Sequence, residues 1–126
     1  MKFGFTLIEI TIALLILAVG LVGILTLFPV GFDAAGRAGN ITVATFLAQG
    51  VMEDLKREGY DSTTIEAALS ETQHRSFSNY PNYRGEIGAN QEGPNYRQVI
   101  VRVYWPAGGP NEQNLELITY IADYGP

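Results

Sequence analysis

The sequence predicts an α+β fold in which a long N-terminal helix, first membrane-spanning and then amphipathic, packs on a small antiparallel sheet of about three strands. Three observations carry this expectation: an uncharged apolar run from Ile10 to Phe32, apolar residues at 3–4 spacing from Ala44 to Leu55, and strict alternation from Tyr96 to Trp105. With 126 residues the chain is one domain's worth, which excludes two separate catalytic domains. It has no cysteine, so disulfides, thiol nucleophiles and thiolate metal sites are excluded, and its one histidine, His74, excludes a multi-histidine site. Eight basic against thirteen acidic side chains give a net charge of −5 without any basic cluster, so nucleic acid is not an expected partner.

The apolar run comes first. A helix from Ile10 to Phe32 is about 34 Å long, enough to cross a bilayer. A cleaved secretory signal would be shorter and end in small residues, whereas this run continues through Leu25, Leu27 and Phe28 and is expected to remain in the mature protein. Lys2 on the short side places the N-terminus in the cytoplasm. Glu9 is anomalous because it enters the membrane with the helix, at about 3 kcal/mol if uncompensated. Taken alone it is a first-turn carboxylate at headgroup depth, favoured by the helix N-terminus.

The octet Lys2-Phe3-Gly4-Phe5-Thr6-Leu7-Ile8-Glu9, followed directly by the apolar run, resembles the class III leader junction of type IV pilins and type II secretion pseudopilins. The resemblance implies a leader over residues 1–4, cleavage between Gly4 and Phe5 by a membrane-embedded prepilin peptidase, and N-methylation of Phe5. It further implies that Glu9 acts in subunit assembly as partner of the new Phe5 amine, a cation–carboxylate pair suited to an apolar, low-dielectric setting. The implied partners are other pilin subunits, the peptidase, an inner-membrane assembly platform and, before assembly, lipid. The implied location is the inner membrane first and a cell-surface or periplasmic filament afterwards.

Small residues at four-residue intervals, Gly31, Ala35 and Gly39, are the candidate packing stripe, since they let another backbone approach closely. The alternative is that Gly31, Gly36 and Gly39 mark a loop. Pro29 lacks an N–H and clashes with the carbonyl of Leu25, so the helix should kink or loosen from Leu25 to Pro29. The resemblance would put a proline slightly earlier, where this chain has Thr26. The expected division is a membrane or filament-core helix over residues 5–32, an outer stem helix over 33–59 and a head over 60–126. In the outer stem Ala44, Leu47 or Ala48, Val51 and Leu55 form the apolar stripe, Lys56 and Arg57 complement the helix dipole, and Gly59 ends the helix. Ala44-Thr45-Phe46-Leu47-Ala48-Gln49 with Met52-Glu53-Asp54-Leu55 resembles the stem of minor pilins of the pilus modification type and of the related minor pseudopilin.

In the head, Thr63-x-x-Glu66 reads as a capping box for a short helix, and residues 70–82 as a polar loop. Tyr83 to Ile87 reads as a weak strand, Tyr96 to Trp105 as a strong one, and Leu115 to Ala122 as its return, with Leu117 and Ile121 on the valine face. With the outer stem helix covering one face, the whole is the pilin-like roll that the resemblance implies. Tyr80, Tyr83, Tyr96 and Tyr104 invite a sugar- or surface-binding reading, although half-buried strand tyrosines account for most of them. Asn40-Ile41-Thr42 has the glycan-acceptor form but falls on the stem helix. No acid–base pair or phosphate loop points to catalysis and no cofactor is implied; Glu112 with Asp123 is the only calcium possibility. The expectation is therefore a structural filament subunit, a pilin or a secretion pseudopilin, and the competitor is a membrane-anchored binding module that never polymerises.

Overall fold

The computed structural model describes residues Gly4 to Asp123. Three helices, α1 (Leu7–Leu25), α2 (Leu27–Glu58) and α3 (Thr63–Ser70), precede four strands, β1 (Gln73–Ser76), β2 (Arg84–Gly93), β3 (Tyr96–Trp105) and β4 (Gln113–Ala122). The strands form one antiparallel meander in the order β1-β2-β3-β4, so the α+β class is as expected. The chain divides into two compact units that meet between Ala38 and Gly39.

The first unit is helical throughout its apolar length. Thr6 caps α1, its backbone and side-chain oxygens both accepting from the Glu9 N–H, at 3.1 and 3.4 Å. The hydroxyls of Thr11 and Thr26 donate to the carbonyls of Ile8 and Gly23, so these polar groups are satisfied by the helix itself. The helix is interrupted at one residue, Thr26, between α1 and α2. The cause is Pro29, which cannot donate to the Leu25 carbonyl. No break follows Phe32, where the sequence division was placed, and the glycines of the possible loop, Gly31, Gly36 and Gly39, are all helical.

The second unit contains the core. Ala44, Leu47, Ala48, Val51, Met52 and Leu55 form the buried stripe of α2, and they pack with Val99, Val101, Val103 and Trp105 of β3 in one cluster. β4 contributes from the same face because Val101 pairs with Leu117 and Arg97 with Ile121. Gly59, at φ 81°, occupies the left-handed position that ends α2, and its N–H reaches the Leu55 carbonyl at 3.1 Å.

Three details differ from expectation. The sheet has four strands, because Gln73 to Ser76, inside the presumed polar loop, pair with Arg84 to Ile87. These four polar residues carry no apolar alternation, and it is the backbone of β2 that makes them a strand. β2 itself continues to Gly93 through three glycines; at Gly85 a Cβ would lie 3.1 Å from the Phe77 ring, so the missing side chain makes room for that ring. The cap of α3 is Ser62, one residue before the predicted Thr63, and its hydroxyl accepts from the N–H groups of Thr64 and Ile65. Glu66 does not close a capping box, since its carboxylate pairs with Arg97.

Candidate functional site

The residues singled out for processing lie at the start of the described chain. Gly4, Phe5 and Thr6 precede the first helical turn, all three exposed, with Phe5 retaining 79% of its surface. A scissile bond in such a segment is open to a protease, since no helical hydrogen bond has to break first. The expected leader lies outside the described residues except for Gly4. Glu9 sits one turn into α1, among Phe5, Ile10, Ala13, Leu14 and Leu17, which together line a shallow, almost wholly apolar hollow. A carboxylate in such apolar surroundings is costly wherever water is excluded from it.

The small-residue stripe occupies α2. A Cβ built at Gly31 or Gly39 meets nothing within 4 Å, so these positions face open space. Gly31 and Ala35 share a groove of about 470 Å³ with Ile24, Leu27, Phe28 and Phe32, just beyond the interruption at Thr26. Phe28 and Phe32, their centroids 6.3 Å apart, are the residues here that sequence reasoning missed. The available signal was an aromatic pair at i, i+4 interleaved with the small residues. The first charges past the apolar run, Asp33 and Arg37, also pair at i, i+4, at 2.9 Å, and together carry no net charge.

In the head, charged groups hold elements together. Arg97 lies on the buried valine face, where its guanidinium donates to the Tyr60 carbonyl at 2.6 Å, to Gln91 at 3.0 Å and to Glu66 at 2.9 Å, and stacks over the Tyr60 ring. It ties β3 to α3 and to the turn before it. On the open face desolvation of the Arg84 guanidinium is outweighed by its bonds to Glu86 and Glu112 together, which keep it more firmly protonated than usual. The Gly108 N–H, with Arg84 beside it, holds the Glu112 carboxyl below the usual carboxylate range. Desolvation and the neighbouring Glu86 push the Tyr104 hydroxyl up.

This arrangement removes the calcium possibility. Glu112 precedes β4 and Asp123 follows it, so a ten-residue strand, roughly 35 Å with its ends, separates them. No group of three metal-ligating side chains occurs among the described residues. Of the tyrosines considered for surface binding, Tyr83 stacks on Trp105 and hydrogen-bonds Asn40, and Tyr104 lies beneath Arg84; Tyr80 and Tyr96 keep more than a third of their surface exposed.

One helical run, Leu7–Glu58, is long and apolar enough near its N-terminus to cross a membrane. No protein-family model, curated protein or solved structure matches the chain.

Proposed function

We propose that the chain is a structural subunit, a minor pilin, of a type IV pilus or related filament, held in the inner membrane by α1 and polymerised through it. A prepilin peptidase removes residues 1–4, Phe5 is N-methylated, and Glu9 receives the Phe5 amine of a neighbouring subunit. The observation that carries this reading is the start of α1: an exposed, non-helical Gly4-Phe5 junction, then a lone carboxylate one turn into a helix with no buried residue. A plain membrane anchor has no use for that carboxylate, which costs about 3 kcal/mol in lipid unless an assembly partner compensates it. Glu9 then selects the axial register at which subunits dock.

The test is the mass of the native protein from cells that possess the peptidase. The expected product begins at Phe5 and carries one added methyl group; recovery of the full-length chain alone overturns the reading. Glu9→Ala is expected to leave insertion and cleavage intact and to lose in competition with wild type for incorporation into filaments. Cross-linking of the assembled protein distinguishes a pilus subunit from a secretion pseudopilin, since the two have different neighbours.

A further inference from the structure

A groove of about 380 Å³ crosses the head between the outer half of α2 and the segment that runs through β1 into the following turn. That is within the size range of small-molecule sites. Phe46, Gly50 and Asp54 follow one another at successive turns of the helix along one wall, and Arg75 and Tyr80 stand on the other. All of them belong to the compact unit that begins at Gly39.

Its chemistry narrows the ligand. Phe46 is 68% exposed beside the buried Leu47 and Ala48, an aromatic ring in water on the wrong side of the amphipathic helix to serve the core. Tyr80, 38% exposed, brings a second ring from a different element. Gly50 keeps the wall between Phe46 and Asp54 clear, and a Cβ there would touch nothing within 4 Å. Asp54 and Arg75 pair at 3.4 Å with nearly half of each side chain exposed, so acceptors and donors stand side by side as adjacent ligand hydroxyls require. The two charges cancel, which gives neither an anion nor a cation an advantage. The polar remainder of the lining, Ser76, Ser78 and Asn79, does not suit an acyl chain. An added peptide strand would have only the four residues of β1 to pair with.

We infer that this groove binds a neutral pyranose sugar, with a ring face against Phe46 and adjacent hydroxyls between Asp54 and Arg75. The inference does not depend on polymerisation, since neither Glu9 nor any residue of the unit before Gly39 takes part.

The test uses the full-length protein in a zwitterionic micelle free of sugar headgroups, titrated with cellobiose, lactose and N,N′-diacetylchitobiose and followed by saturation-transfer NMR. At least one sugar is expected to bind saturably in the millimolar range, with Phe46→Ala and Asp54→Asn each weakening it about tenfold or more. Tyr120→Ala, on the open sheet face, is the control and should leave affinity unchanged. The melting temperature of each variant reports folding separately. The inference fails if none of the three sugars binds saturably, if Phe46→Ala binds as wild type does, or if Tyr120→Ala weakens binding equally. Loss of filament incorporation by Phe46→Ala without sugar binding by wild type would make the groove a subunit contact instead.

Discussion

Leu14 and Leu55 are the same residue in the same secondary structure, yet Leu14 is 58% exposed and Leu55 1%. Leu14 belongs to α1, none of whose 19 residues is buried, and Leu55 to the last turn of α2, covered by the sheet. The difference teaches that apolarity supplies only the demand for burial, and a second layer from the same chain has to meet it. In the head, strands β2 to β4 provide that layer. Among the described residues the apolar helix before Ala38 has no such layer, so its demand for burial is left unmet by the chain itself.

The strongest way to break this comparison is to truncate one large aromatic in each unit. Trp105→Ala in the core should cost about 3–5 kcal/mol in denaturant unfolding followed by circular dichroism, because it empties a fully packed site. Phe28→Ala, on a residue 53% exposed, should change the same transition by no more than about 0.5 kcal/mol. Comparable losses would mean that the helical unit has a core of its own.

Arg97 sharpens the comparison from the polar side. Its side chain is 10% exposed and its bonds to Tyr60, Gln91 and Glu66 satisfy it. Arg97→Met should destabilise the head by about 1–3 kcal/mol, since Tyr60 and Gln91 lose their donor. Glu66→Gln, at a position 60% exposed, should cost no more than about 1 kcal/mol in the same assay.

Gly39→Leu reverses the sign. With nothing within 4 Å of the new Cβ, the substitution should stabilise the isolated chain by up to about 1 kcal/mol through helix propensity. Under the filament reading it should nonetheless reduce incorporation, because the added bulk meets another stem. Ala35→Leu should show the same separation. A matched loss of thermal stability and assembly would count against a packing role for the stripe.

The smallest expected effect is local and depends on pH. The Glu112 carboxyl is held low in the folded head, so its contribution is present at neutral pH and is lost as pH falls through its folded value. Hydrogen exchange at the Gly108 amide should accelerate in a transition below the usual carboxylate range. Glu112→Gln should remove that transition.

Much of the fold was legible because periodicity is a local property. The alternation of β3, the stripe of α2, the stop at Gly59 and the weakness created by Pro29 follow from residues read a few at a time. β1 was illegible for the opposite reason: Gln73-His74-Arg75-Ser76 is extended because β2 offers it a ladder. The cap of α3 was missed by one residue because Thr63-x-x-Glu66 has the right spacing, while Glu66 is drawn away by Arg97, which is distant in sequence. Of the candidate assembly residues, Glu9, Gly31, Ala35 and Gly39 were recognisable individually. That Phe28 and Phe32 enclose a groove with Gly31 and Ala35 became visible only when the helix put them on one surface.

The sequence by itself determined the helices, the strong strand β3 and its return, where the apolar helix is weakened, and that its length suffices to cross a bilayer, because each depends on composition and short-range spacing. The tertiary structure decided which apolar residues find partners within the chain, that a polar tetrapeptide becomes a strand, and that Arg97 can occupy a core face. Those outcomes depend on groups brought together from far apart in the chain, and such meetings are set by the packing of layers, to which no local pattern has access.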